Sequence, residues 1–249
     1  MLNGKDNKSD REEPVITIRD LHKVYRSATV EYEALRGVDL TIRKGEFCAI
    51  MGPSGSGKTT LMNIIGLLDD LTSGSYELQG IDSTQLNDTS RAALRNRTIG
   101  FIFQSYNLLP QMNLIDNVAL PMLYGGVPAS ERRDRAREAL QSVDLERWSL
   151  HKPTEISGGQ QQRVAVARAM VMQPAILLAD EPTGNLDSKT SDDVLEIFHE
   201  LNEMGVTVII ISHDITVANH AQRLIELFDG KISQERILTK NNKIAGSRL

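Results

Sequence analysis

Three uninterrupted apolar runs stand out along the chain: Phe47-Cys48-Ala49-Ile50-Met51, Ala175-Ile176-Leu177-Leu178-Ala179 and Val206-Thr207-Val208-Ile209-Ile210-Ile211. Each has the length of a strand and no polar alternation, so each predicts a strand covered on both faces. The second and third are separated by a helix-like stretch over 189–204, the spacing of a parallel crossover. Shorter alternating runs, Val15–Ile18 and Val38–Ile42, predict half-buried strands, as does Ser75–Gln79 after the turn Thr72-Ser73-Gly74. These flank the first apolar run and predict a small antiparallel sheet beside it. Ile99–Phe103, Arg223–Leu227 and Lys231–Ser233 add further strands. Residues 88–97 read as a charged helix, and from about 111 to 172 the pattern is mainly helical. Within it, Ala129, Arg133, Ala136, Ala139, Leu140 and Val143 fall as on an exposed amphipathic helix. The stretch 105–160 carries no strand signal and predicts a helical subdomain. The expected fold is α/β: a parallel-sheet core with a small antiparallel β subdomain and a helical one, over 14–236. Residues 1–13 and 237–249 read as tails.

Composition changes this picture little. The 249 residues suffice for one large domain or a core with a subdomain. Lys and Arg number 28 against 33 Asp and Glu, a net charge of −5, which argues against a nucleic-acid partner. No apolar run approaches a membrane span. The polar start, Met1–Glu13, lacks the apolar centre of a secretory signal. The single Cys48 lies inside an apolar run and reads as a small buried hydrophobe. With no disulfide possible within the chain, a reducing cytosol is expected.

The candidate chemistry gathers at strand ends. Directly after the first apolar run comes Gly52-Pro53-Ser54-Gly55-Ser56-Gly57-Lys58-Thr59, with Thr60 opening a helical pattern. Strand, glycine-rich turn and helix form the setting of a phosphate-binding P-loop. Gly52, Gly55 and Gly57 let backbone N–H groups turn toward an anion, and the helix N-terminus adds partial positive charge. Lys58 can reach the β- and γ-phosphates, and the Thr59 hydroxyl suits Mg²⁺. The motif implies a nucleoside triphosphate, not its use. Asp180 ends the second run and is the acidic partner that such a metal needs. Glu181, one residue on, is placed to orient or deprotonate a water. An acidic turn before Pro182 is the plain alternative.

Gln104, after the strand 99–103, could ligate Mg²⁺ and contact the water; alone it reads as readily as a surface glutamine. His213, after the third run, could bond a γ-phosphate or be a structural histidine. Tyr25, beside an inserted-looking segment at 27–33, could stack on a purine or simply pack. Ser157-Gly158-Gly159-Gln160 opens another helical pattern. The serine is a cap, and with two glycines it can also form a second anion site. One triphosphate would need both cradles only if they faced each other across it.

In this order the motifs resemble the ATP-binding subunit of ABC transporters, over about 15–235. The resemblance implies Tyr25 as the adenine-stacking aromatic, Gly52 to Thr59 as Walker A and Gln104 as the Q-loop. It implies Ile156 to Gln161 as the signature, with Ile156 where leucine is usual, and Ile176 to Asp180 as Walker B. Glu181 becomes the catalytic carboxylate, Asn185-Leu186-Asp187 the D-loop and His213 the switch histidine. The implied fold is a P-loop NTPase (RecA-like) core, and the implied cofactors are ATP and Mg²⁺. The implied partners are a second copy, whose Ser157 to Gln160 complete the ATP site, and an integral membrane permease, with the chain peripheral on the cytoplasmic face. Glu33–Val38, Met62–Asp69, Phe103–Pro110 and Leu178–Asp187 are similar to the macrolide-exporter and lipoprotein-release branch. That branch pairs with a four-helix permease bearing a large outer domain. A mechanical or regulatory module acting on an envelope partner is the alternative. One cassette rather than two, and about a hundred residues between Walker A and signature, speak against the translation and DNA-repair members. The signature speaks against a P-loop kinase.

Overall fold

The computed structural model describes residues 13–27 and 29–239. The described residues begin with two long antiparallel strands, β1 (Pro14–Arg26) and β2 (Glu31–Arg43). Both run well past the alternating apolar stretches that predicted them, so the inserted-looking segment is the closing end of a hairpin. Its polar residues are paired across strands instead of buried: His22 Nδ1 lies 2.9 Å from Glu33 Oε1, and Arg26 Nε 3.3 Å from Glu31 Oε2. Cross-strand pairs of this kind supplement the buried Leu21 and Leu35, which the same parts of β1 and β2 contribute to the core. In the register Tyr25 lies opposite Tyr32.

The first apolar run is β3 (Phe47–Met51), followed by α1 (Lys58–Ile65). Next come β4 (Ser73–Leu78), β5 (Ile81–Asp82) and α2 (Asp88–Thr98), capped by Asn87 Oδ1 on the Ser90 N–H at 2.9 Å. After β6 (Ile99–Phe103) the chain is helical through α3 (Leu114–Tyr124), α4 (Ala129–Gln141) and α5 (Gly158–Met170). The rest alternates as β7 (Ile176–Asp180), α6 (Ser188–Glu203), β8 (Thr207–Ile211), a short α7 (Ile215–Ala218), β9 (Arg223–Phe228) and β10 (Lys231–Ile237). β10 passes the boundary drawn at 236, and Leu238 packs into the core beyond it. The outer segments 1–12 and 240–249 lie outside the described residues.

The strands form two sheets. One is antiparallel with order β2-β1-β4-β5; the other has order β10-β9-β3-β8-β7-β6 and is parallel except at the β10 edge. The fold is therefore α/β, as read from the sequence. The uninterrupted apolar runs are explained by burial on both faces. Cys48, Ile50, Ile176, Leu178, Ile209 and Ile211 face a core shared with α1 and the antiparallel sheet. Phe47, Ala49, Leu177, Ala179, Val208 and Ile210 face a second core with α6 and α7. Alternate residues of a strand point to opposite faces, so a strand covered twice must be apolar throughout. Cys48 is fully buried, and burial pushes its thiol well above the usual range. α3, α4 and α5 enclose a third core around Leu114, Val118, Met122, Leu140 and Val164. α5 belongs to two cores, because Val166 and Ala169 turn to the sheet. The helical cluster is thereby tied to the strands that end in the candidate site.

Candidate active site

β3, β7 and β8 lie side by side and parallel, so their C-terminal ends deliver three loops to one edge of the sheet. This is where open α/β sheets place ligands. From β3 comes the loop 52–57, which must pass tightly under the end of β9. A Cβ on Gly52 would lie 2.1 Å from the Leu227 carbonyl oxygen, so only glycine fits. The loop enters α1 through Gly57, a left-handed N-cap without a side-chain bond. The Lys58 ammonium folds back on the loop and donates to the carbonyls of Gly52 at 2.7 Å and Pro53 at 2.8 Å. Burial holds its pKa below the ordinary lysine value, while Glu181 and Asp180 oppose that shift. Ser56 Oγ is buried without a hydrogen-bond partner in the same loop. Thr59 and Thr60 follow in the first turn of α1.

From β7 come Asp180 and Glu181. Burial raises the Asp180 pKa above the usual carboxylate value, the neighbouring Glu181 raises it further, and Lys58 pulls the other way. The three charges thus share one partly buried space. Glu181 has a left-handed backbone, φ 44°, a conformation that costs energy in a residue with a side chain and is concentrated at functional sites. Its N–H donates to the Ile211 carbonyl at 2.9 Å, anchoring the turn to the end of β8. Its carboxylate is oriented from that strand as well. Oε1 accepts from the His213 N–H at 3.1 Å and from the ring Nδ1 at 2.7 Å, and Oε2 accepts from Ser212 Oγ at 3.1 Å. His213 therefore meets Glu181, an arrangement that strand-end position alone did not disclose.

Gln104, after β6, borders the same edge. Gly184 packs against its amide, and Asn185 Nδ2 donates to its carbonyl at 3.0 Å. Beyond it Tyr106 and Asn107 both have left-handed backbones, and Arg168 of α5 donates to both carbonyls. Tyr25 stands on the other side of the loop at the end of β1, 40% exposed. Its hydroxyl donates to Asp69 Oδ2 at 2.8 Å.

Ser157 and the residues after it lie elsewhere. Ser157 Oγ accepts from the Gln160 N–H at 3.3 Å, and Gln160 Oε1 accepts from the Ser157 N–H at 2.9 Å, a reciprocal capping box. The box uses Ser157 Oγ as acceptor and leaves its O–H free to donate. As first-turn residues of α5, Gly158 and Gly159 have N–H groups without helical partners. Gly158 lies under the Tyr106 hydroxyl, and a Cβ on Gly159 would be 2.3 Å from Thr190 Cγ2 in α6. Gly159 is thus required for close helix packing as well as being compatible with an anion. Within one chain, then, the structure gathers the P-loop, Asp180, Glu181 and His213, but does not place Ser157–Gly159 against them.

Two residues of this region were not singled out in the sequence. Ser212 shares the Glu181 carboxylate with His213. Gln162, 0% exposed, donates from Nε2 to the Pro182 carbonyl at 2.6 Å and fastens α5 to the turn after Glu181. Its signal was present: a glutamine on the helix face that also carries Ala165 and Ala169, where an apolar residue is expected.

Residues 35–184 match the family model described as ABC transporter. The chain belongs to the ABC transporter family. An uncharacterized ABC transporter ATP-binding protein of Thermotoga maritima is 47% identical over 218 residues, 88% of this chain and 93% of that one. A macrolide export ATP-binding/permease protein, MacB, of Syntrophobacter fumaroxidans is 50% identical over 224 residues. That match takes in 89% of this chain and 31% of MacB, so the cassette spans about a third of that relative. Among solved structures, the dimeric ATP-binding cassette MJ0796, in a post-hydrolysis state bound to ADP and Pi, superposes with a TM-score of 0.83. It is 43% identical, over 90% of this chain and 99% of that one. The cassette has the P-loop NTPase fold of these relatives and is an ABC ATPase.

Proposed function

We propose that this ATPase works as a homodimer closed by ATP, and that closure drives a separate membrane permease from the cytoplasmic face. One observation carries the reading. The P-loop, Asp180 and Glu181 form one half of a site, while a second helix start with free donors, Ser157 to Gly159, lies apart from it in the same chain. Two copies facing each other would supply both halves twice. The dimeric state of the related cassette supports this. The relatives named for macrolide export, which join an ATP-binding part to a permease in one protein, support a permease partner. Among the described residues no helix is long and apolar enough to cross a membrane.

The residues fit a magnesium nucleotide. Among the described residues Ser56 Oγ lacks a hydrogen-bond partner, Lys58 donates to two loop carbonyls, and the oxygen donors Thr59, Asp180 and Gln104 suit a hard divalent ion. We assign the triphosphate to residues 52–60, with Lys58 exchanging its two carbonyls for phosphate oxygens. Thr59, Asp180 and Gln104 would hold Mg²⁺, which when bound offsets phosphate charge. Glu181 takes the proton of the attacking water. Ser212 and His213 keep its carboxylate aimed, and the left-handed turn at Glu181 sets the direction. With Nδ1–H given to Glu181, a neutral His213 ring has an acceptor at Nε2. A bond from that nitrogen to a γ-phosphate then needs a second proton or release of Glu181. The loop after Gln104 carries the response outward, because Tyr106 touches Gly158 and Arg168 holds its backbone.

A pull-down tests the partner. Tagged Glu181→Gln protein, loaded with ATP and recovered from detergent-solubilised membranes, is expected to bring down a four-helix permease with a large outer domain. Recovery of soluble partners alone, with the membranes shown to be solubilised, would refute the transporter reading.

A further inference from the structure

Tyr25 is gripped by two residues far apart in the chain. Lys23 stands two positions earlier on β1, so both side chains rise from one face of the strand. Lys23 is only 9% exposed, and its Nζ lies 4.8 Å from the centroid of the Tyr25 ring. The same ammonium donates to Asp69 Oδ1 at 2.7 Å and to the Asp70 carbonyl at 2.6 Å. The Tyr25 hydroxyl donates to the other carboxylate oxygen, Asp69 Oδ2, and the Thr60 hydroxyl lies beside it. One carboxylate therefore holds a cation with one oxygen and a phenol with the other.

Asp69 is fixed in turn. Its N–H donates to the Asn63 carbonyl of α1 at 3.2 Å, and the Leu68 N–H donates to the same oxygen at 2.7 Å. Arg91 of α2 pairs with Asp70 next to it. The network thus joins β1, in the antiparallel sheet, to the end of the helix whose first turn opens the phosphate loop. A cation this buried is retained only where its partners are well placed. These partners constrain a ring that lies outside the three hydrophobic cores. Lys23 also covers one face of that ring by a cation–π contact, and Tyr25 remains 40% exposed.

We propose that Lys23 and Asp69 are positioning residues that set the distance and tilt of the Tyr25 base platform relative to the phosphate loop. A nucleotide is then gripped at both ends by one rigid body, with the ordering of the ring already accomplished before binding. The inference rests on the reading of Tyr25 as the aromatic that stacks on the base.

The test compares ADP, which carries base and phosphates, with pyrophosphate, which carries phosphates alone. Affinities are measured by calorimetry on the full chain. Tyr25→Ala is expected to weaken ADP about tenfold, as loss of one stacking platform does, and to leave pyrophosphate unchanged. Lys23→Met and Asp69→Asn are each expected to weaken ADP by about three- to tenfold with pyrophosphate unchanged, and to add little in a Tyr25→Ala background, since coupled residues are not additive. Lys23→Arg, which keeps a cation beside the ring, is expected to recover most of the affinity. If Tyr25→Ala binds ADP normally, the base-platform reading falls and takes the inference with it. If Tyr25→Ala weakens ADP but Lys23→Met and Asp69→Asn do not, the positioning role alone is overturned. Equal loss of ADP and pyrophosphate in both Lys23→Met and Asp69→Asn would mark a general folding role and also overturn it.

Discussion

Glu181→Gln is expected to bind ATP with near-normal affinity and to lose about 10²- to 10⁴-fold in turnover, the range supplied by a positioned proton acceptor. The amide is nearly isosteric with the carboxylate. Its oxygen can still accept from the His213 N–H and Nδ1–H, and its nitrogen can donate to Ser212 Oγ, reversing that one bond. The left-handed turn and its anchor to Ile211 involve backbone alone and persist. What disappears is the ability to take a proton from water. Phosphate release under saturating ATP, alongside equilibrium binding to the same protein, separates the two effects. Turnover within a few-fold of the unaltered protein would remove Glu181 from the role of base.

Ser157→Ala combined with Gly158→Asp is expected to abolish hydrolysis for a different reason. The substitution removes the cap of α5, worth about 0.5–2 kcal/mol, and the hydroxyl donor left over by the capping box. The aspartate puts a negative charge where the first-turn N–H groups point, and its Cβ falls 2.9 Å from the Tyr106 hydroxyl. The end of a tyrosine side chain can yield, so the fold survives while the anion site does not. Because no residue of 157–159 lines the P-loop of its own chain, ATP binding to the single chain is expected to stay normal and hydrolysis to vanish. Loss of binding by the single chain would instead place 157–159 in the same site as Lys58 and contradict the two-chain arrangement.

The sequence disclosed the parts of this molecule that burial dictates. β3, β7 and β8 could be read because both their faces are covered, which forces apolar residues at every position. β1 and β2 could be read only over Val15–Ile18 and Val38–Ile42, since register shifts at Ile18/Leu21, Leu21/His22 and Lys23/Val24 break the hydrophobic period of their far halves even though Leu21 and Leu35 are buried there. α7, with four residues, is too short for periodicity to register. The candidate site followed the same division. Gly52 to Thr59 and Asp180–Glu181 stand in local motifs next to predicted strands. The contact of His213 with Glu181 spans 32 positions, and that of Lys23 with Asp69 spans 46. Such contacts depend on which strands become neighbours, and strand order is not written in any one segment. Gly159 shows the two levels combined: its motif suggested an anion site, and the packing against Thr190 adds a constraint that only the folded chain contains.

Closure of two copies on ATP can be followed by light scattering on Glu181→Gln protein with and without ATP and Mg²⁺. The expected result is the mass of one chain without nucleotide, twice that mass with ATP, and no doubling when Ser157→Ala and Gly158→Asp are added. A mass that stays at one chain under saturating ATP, with bound nucleotide confirmed, would contradict it.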